Sequence, residues 1–353
     1  MNHLERVQAV LRGETPDRIP VIPQCFMFSA KTAGYTIGQI NRSPRLMAES
    51  HRICQEKFGY DGCVIDVDDA TLAEACGAKV KWRDDDVASV DEHHPALEDL
   101  RDIDTLHMPD PYHDGRLPEW LETTERLKAM IGEDVFIMGR ADQGPFSLLS
   151  LLRGTQNFMV DLVTEEPAVI HHALEWVTKA HLAFARAQLA VGAHATSMGD
   201  AYASPNLVSP AMYREYALPY EKKVVEELGG LSNRYSIHIC GDTTKIIREI
   251  GDSGAKILEV DWKLDMGLAR SSVPDSVVLM GNVNPSDPLY LGTPEQVEDA
   301  AREVIRKTAG RGLILSSGCA IGTNTRPENM SALVHAAEKY GTREYLSELS
   351  AQS

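Results

Sequence analysis

The chain has no long apolar run. No stretch approaches the ~20 apolar residues needed to span a bilayer, and Met1-Asn-His-Leu-Glu-Arg-Val-Gln8 lacks a basic region followed by an apolar core. Neither a membrane span nor a signal peptide is therefore expected. Positive charge is scarce as well: 35 lysines and arginines face 52 acidic residues, for a net charge of −17. Such a surface does not suit nucleic-acid phosphates, which demand a basic face. Six cysteines in 353 residues are too few for a disulfide scaffold. Cys25, Cys54, Cys63 and Cys76 are expected to be reduced core residues, and a reducing cytoplasm is the expected location. G-x-G-x-x-G, P-loop and G-x-S-x-G strings are all missing, which argues against dinucleotide binding, NTP hydrolysis and a nucleophile elbow.

What is present is a regular alternation. Strand-like runs fall at Ile19–Gln24, Cys63–Asp68, Val135–Asp142, Ala193–Asp200, Tyr235–Cys240, Lys256–Asp261, Ser276–Asn282 and Gly312–Ser317. Amphipathic segments such as Pro167–Val191, Pro210–Leu228, Thr243–Gly251 and Pro294–Ala309 separate them. This rhythm predicts a parallel sheet, and about eight such units predict a single α/β domain over 1–353, a closed (β/α)8 barrel of the TIM type. Asn2–Gly13 reads as a helix plugging the barrel bottom. Gly77–Arg116, with its Arg83-Asp-Asp-Asp86 and Asp110-Pro-Tyr-His-Asp-Gly115 strings, breaks the rhythm and reads as an inserted hairpin and loop, a lid beside the rim.

The ends of the predicted strands collect polar residues: Asp66 and Asp68, Asp142, Asp200, His238 and Cys240, Asp261, Asn282 and Asn284, and Cys319. In such barrels chemistry gathers at this rim. His238 and Cys240 are two apart, so on a strand they share a face. With Cys319 they offer one imidazole and two thiolates, a zinc set that leaves a position open for substrate. The plainer readings are a core histidine beside two buried thiols, or a structural zinc. A structural site normally takes four protein ligands, and no fourth cysteine or histidine is placed to complete it. Asp261, at the end of the next strand, is the preferred carboxylate for a fourth position, ahead of the deeper Glu259. Asp66 and Asp68 suit acid/base work or a hard cation, but Asp68 or Asp69 equally suits a helix N-cap before Ala70-Thr-Leu-Ala. Asp142, Asp200 and Asn282 could contact substrate or only shape loops. His93 and His94 fall in a charged loop and are expected to face solvent.

Over nearly its whole length the chain resembles the uroporphyrinogen decarboxylase superfamily. The resemblance rests on Glu5-Arg-Val-Gln-Ala-Val-Leu-Arg-Gly-Glu-Thr-Pro-Asp-Arg-Ile-Pro20, on Tyr202-Ala-Ser-Pro-Asn-Leu-Val-Ser-Pro-Ala-Met-Tyr-Arg-Glu-Tyr-Ala-Leu-Pro-Tyr220 and on Gly281-Asn-Val-Asn-Pro285. Within it, His238-Ile-Cys-Gly-Asp-Thr-Thr244 and Gly318-Cys-Ala-Ile-Gly-Thr-Asn-Thr-Arg-Pro-Glu-Asn329 are similar to the zinc signature of methylcobamide:coenzyme M methyltransferases and related corrinoid-dependent methyltransferases. The resemblance implies a TIM-type barrel with zinc on His238, Cys240 and Cys319. It also implies methyl transfer between a corrinoid and a small thiol or a methoxylated or methylated substrate. A corrinoid-binding D-x-H-x-x-G is missing, since Asp91-Glu-His-His-Pro-Ala96 lacks the glycine, so the corrinoid is expected on a separate partner protein. True decarboxylases carry R-Q-A-G-R-Y near the first strand. This chain has Phe26-Met-Phe-Ser-Ala-Lys-Thr-Ala-Gly-Tyr35, without an arginine. Asp68 aligns roughly with the decarboxylase's central aspartate. A metal-free decarboxylase of a polycarboxylate and a non-catalytic zinc protein are the two alternatives.

Overall fold

The computed structural model describes residues 1–66 and 68–351. Nine strands form: β1 (Gly62–Ile65), β2 (Val80–Lys81), β3 (Ser89–Val90), β4 (Phe136–Gln143), β5 (Ala195–Gly199), β6 (Tyr235–Ile239), β7 (Ile257–Val260), β8 (Val278–Val283) and β9 (Leu313–Ser317). Seven make one sheet in the order β1-β4-β5-β6-β7-β8-β9. Every neighbouring pair is parallel. Each residue of these seven strands is buried, as expected where both faces of a sheet are covered.

The coverage differs on the two sides. Helices such as Pro167–Ala190, Leu218–Leu228 and Pro294–Thr308 pack outside and form the main apolar core. The sheet curls around a second, smaller core in which Val64, Phe136, Met138, Ala195, Ile257, Val278, Met280 and Ile314 meet. Val7 and Val10 join this inner core from the helix His3–Leu11, which starts at an Asn2–Glu5 capping box. Phe136, Ala195, Ile257 and Val278 open their strands, so this helix lies under the strands' N-terminal ends, the place the sequence assigned to it.

Two predicted segments differ. Ile19–Gln24 is no regular strand, because Pro20 and Pro23 have no N–H to donate to a ladder. It keeps one parallel bridge, Val21 to Leu315. Leu315 donates to the Pro20 carbonyl (2.8 Å) and Ile22 to the Leu315 carbonyl (2.9 Å), while Asp61, just ahead of β1, donates to the Val21 carbonyl (2.7 Å). The first regular strand ends at Ile65, which leaves Asp66 and Asp68 in the loop that follows it. Between β1 and β4, β2 and β3 pair antiparallel through Val80–Val90 and Lys81–Ser89, and a 3-10 turn covers Leu100–Thr105. Among the described residues no helix is long and apolar enough to cross a membrane.

Candidate metal centre and its cavity

The two-residue period of the strands sorts the enclosed face into layers. Phe136 and Met138 on β4 and Ile257 on β7 belong to the inner apolar core. One step further along the same faces come Arg140 and Glu259. Arg140 is only 3% exposed. It donates from Nη2 and Nη1 to the two Glu259 carboxylate oxygens (2.8 and 3.3 Å) and from Nε to Asp66 (3.3 Å). Burial opposes the Arg140 charge, but Glu259 and Asp66 outweigh it and the guanidinium pKa rises. Glu259 also accepts from Ser236 Oγ (2.8 Å) and Gln24 Nε2 (3.3 Å). A buried charge pair is tolerable only when its remaining lone pairs are satisfied, and these donors satisfy them.

Above this layer three side chains able to hold a metal ion converge. His238 Nε2 lies 3.2 Å from Cys240 Sγ, and that sulfur lies 4.0 Å from Cys319 Sγ. One ligand atom from each of the three falls within 4.8 Å of the others, and among the described residues this is the one such group of three or more. Tetrahedral zinc with Zn–S near 2.3 Å and Zn–N near 2.0 Å sets sulfurs about 3.8 Å apart and nitrogen about 3.5 Å from sulfur. The trio fits that demand. His238 Nδ1 donates to the Glu259 carbonyl (2.9 Å), which fixes the tautomer and leaves the Nε2 lone pair for a metal.

The backbone explains the convergence. Gly241, after Cys240, has φ of 90°, and a Cβ there would meet Asn206 Nδ2 at 2.6 Å. Gly318, before Cys319, packs so closely that a Cβ would stand 2.4 Å from the Trp262 nitrogen. Both positions admit glycine alone without rearrangement. Burial works against the His238 charge, but Cys319 and Glu259 raise its pKa to about 9. The Cys319 thiol is pushed up by its contact with Cys240 and by burial. A divalent cation reverses both preferences, because it binds thiolate and neutral imidazole.

The trio faces a cavity of about 180 Å³ whose wall includes Phe26, Met27, Asp66, Asp68, Asp69, Val87 and Arg140. A larger cleft of about 650 Å³ lies at the other end of the strands, beside Val10, Lys256, Val278 and Leu313, away from the ligating residues.

The other expected site residues are bound to structure. Asp68 lies in the cavity wall, but it accepts from Arg116 Nη1 (2.7 Å) and Nη2 (3.3 Å), from Ala70 N (3.0 Å) and from Thr71 Oγ1 (3.1 Å). These bonds hold the turn ahead of the helix Thr71–Ala75, whose N-cap residue is Ala70, without a side-chain cap. Asp142, at φ of 58°, accepts from Leu72 N (2.5 Å), and burial holds its carboxyl pKa well above the usual range. Asp200 accepts from Ser147 N (2.7 Å) and so caps the helix Pro145–Arg153, and burial raises its pKa to about 6. Asn282 Nδ2 donates to the Asp261 and Leu264 carbonyls (3.0 and 2.7 Å). Asp261 stands outside the ligand trio: its oxygens accept from Gly241 N (2.8 Å) and Lys263 N (2.9 Å). It thereby ties the turn after Cys240 to the end of β7. Sequence reasoning missed Arg140 and gave Asp69 only a capping role, whereas its carboxylate lines the cavity and accepts from Gln143 Nε2 (2.9 Å). The signal for Arg140 was a cation inside the apolar run Phe136-Ile-Met-Gly-Arg140, in phase with Met138.

Comparison with known proteins gives the family of this chain. The family described as Uroporphyrinogen decarboxylase (URO-D) matches residues 2–340, and the chain belongs to this family. The methylcobamide:CoM methyltransferase MtbA of Methanosarcina mazei is 29% identical over 347 residues, covering 95% of this chain and 97% of its own. A uroporphyrinogen decarboxylase of Synechococcus is 28% identical over 249 residues, 69% of this chain and 68% of its own. A solved methyltransferase from Methanosarcina mazei superposes with a TM-score of 0.87 at 26% identity, covering 96% of this chain and 99% of its own.

Proposed function

We propose that this chain uses zinc on His238, Cys240 and Cys319 to move a methyl group between a corrinoid, carried by a separate corrinoid protein, and a small thiol or a methoxylated or methylated substrate. It is an enzyme and a methyltransferase, as are relatives that align with it end to end. The observation that carries the zinc reading is the convergence of one imidazole and two sulfurs at the mouth of a small cavity. Zinc bound there would acidify a coordinated thiol or polarise a methoxy oxygen. A thiol of pKa about 8.5 is only a few per cent thiolate at pH 7, so full deprotonation is worth about 2 kcal/mol. Alignment of the reacting atoms must supply much of the remaining acceleration. His238 and Cys240, on one strand end buttressed by Glu259 and Asp261, provide that alignment.

Cavity size supports the division of labour. An engineered cavity of about 150 Å³ holds benzene, so 180 Å³ suits a small substrate and no tetrapyrrole. The corrinoid ring must then approach from outside the rim. The same argument weighs against a porphyrinogen substrate, as does the helix Phe26–Ala33, which offers no arginine for its carboxylates. The segment Pro20–Ile22, bonded to β9 on one side and to Asp61 on the other, closes the sheet into a barrel, and residues 77–116 cover its rim through Val87. All six cysteines are free, which suits a reducing cytoplasm.

Metal quantitation on purified protein tests the proposal, followed by methyl exchange with free methylcobalamin. Cys240→Ala is expected to lose zinc and methyl transfer together. Full activity in that metal-free variant would falsify the reading.

A further inference from the structure

The charge inventory of the cavity restricts the substrate. Among the described residues Arg140 is the one permanent cation in its wall. That guanidinium is shared by two carboxylates, Glu259 at 2.8 Å and Asp66 at 3.3 Å. Behind the wall Arg116 repeats the pattern, with Asp68 at 2.7 Å and Glu74 at 2.6 Å. Asp69 lies beside them with the neutral Gln143 as a hydrogen-bond donor, and burial and the neighbouring Asp68 push its carboxyl pKa up, against the pull of Arg140. Two guanidiniums are thus matched by four carboxylates, with Asp69 in addition. Zinc with two thiolates and a neutral imidazole contributes no net charge. An anionic group brought into this space would lose water, find no uncommitted cation, and meet excess negative charge.

Resting on the methyl-transfer reading, we infer that the small reactant is neutral or cationic at the end remote from the metal, and that the cavity rejects an anionic tail. Size agrees: by comparison with benzene, 180 Å³ admits on the order of six to eight non-hydrogen atoms. The thiol in the names of the Methanosarcina relatives, coenzyme M, is 2-mercaptoethanesulfonate, an anion. The wall therefore assigns this chain a different partner for the corrinoid: a short thiol, thioether or methylated amine without a negative group.

Three thiols of equal chain length decide the matter. Zinc-loaded protein is titrated calorimetrically with 2-aminoethanethiol, 2-mercaptoethanol and 2-mercaptoethanesulfonate at low ionic strength. The cation is expected to bind at least about tenfold more tightly than the sulfonate, with the alcohol between them. Asp69→Asn and added salt should both narrow that ratio. These within-series changes cancel the unequal basicity of the three thiols, and the salt arm needs no variant. Sulfonate binding as tight as that of the cation, or a ratio unmoved by both treatments, overturns the inference and leaves thiol binding at the metal standing. Silence from all three thiols overturns the thiol as reactant and leaves methyl transfer from a methoxylated or methylated substrate standing.

Discussion

At the scale of single residues, the site separates groups that bind from groups that aim. His238, Cys240 and Cys319 can reach one ion. Glu259 and Asp261 hold them in place, one through the His238 Nδ1 bond and the other through Gly241 N. Outer partners of this kind typically change metal affinity by about 10–100-fold. Asp261→Asn replaces one accepting oxygen with a donor and weakens the tie to Gly241 or Lys263. We expect this variant to retain one zinc per chain at saturation, with affinity lowered by about that factor and an unchanged sulfur count in its X-ray absorption spectrum. Failure to bind any zinc would instead make Asp261 a ligand. The trio was legible in the sequence because H-x-C on a strand end fixes two ligands at once. Asp261 was harder to read because a strand-end aspartate carries no mark of whether it faces an ion or the backbone N–H groups that it accepts from here.

The element scale shows why neighbouring carboxylates were harder to read. Helix Leu218–Leu228 turns Glu221 into the outer core, where it is fully buried and accepts from Tyr213 Oη (2.6 Å). Burial, reinforced by Asp200, raises its pKa to about 8. The native state therefore keeps this proton after the unfolded chain has released it near pH 4.5. Glu221 favours folding most below that value. Its contribution fades as pH rises, by up to about 1.4 kcal/mol per unit, until about pH 8. Glu221→Gln, which keeps an acceptor for Tyr213, should remove this slope. Urea denaturation at pH 5 and pH 8 is expected to show the variant gaining on the native sequence as pH rises, and parallel curves would refute the assignment. Elements themselves were largely legible. Pro167–Val191 was expected as a helix and Pro167–Ala190 is one, because a proline start and an apolar stripe specify it locally. Ile19–Gln24 was misread because its apolar composition concealed two missing donors. Arg140 and Glu259 sit 119 residues apart in sequence, and only the register of the sheet brings them together.

For the whole molecule, the segment Pro20–Ile22 bonds to β9 and to Asp61, and what anchors that segment matters most. Asp61 stands immediately before β1 with no solvent exposure. It accepts from Arg6 Nη1 (2.6 Å) on the N-terminal helix, from Arg18 Nη1 (2.8 Å), from Val21 N (2.7 Å) and, through His3 Nδ1, at 2.9 Å. One carboxylate thus joins the plug helix, the irregular Pro20–Ile22 segment and the first strand. Burial alone would raise its pKa, but His3, Arg18 and Arg6 prevail and the pKa falls below the ordinary value of 3.8. The stability Asp61 supplies is accordingly complete above that value and is lost as pH drops through its lower native pKa. Removing one partner of a buried ionic cluster costs about 3–5 kcal/mol because the others are left unpaired. Asp61→Ala leaves Arg18 without its carboxylate and Arg6 with Asp17 alone, so the unfolding free energy from urea denaturation should fall by about the lower end of that range. Hydrogen exchange should then quicken first in residues 3–22 and in β1 and β9, the elements that meet at the seam, while β5 and β6 stay protected. Uniform acceleration over all seven strands would mean that Asp61 supports the fold generally and that the sheet's edges are held by something other than this clasp.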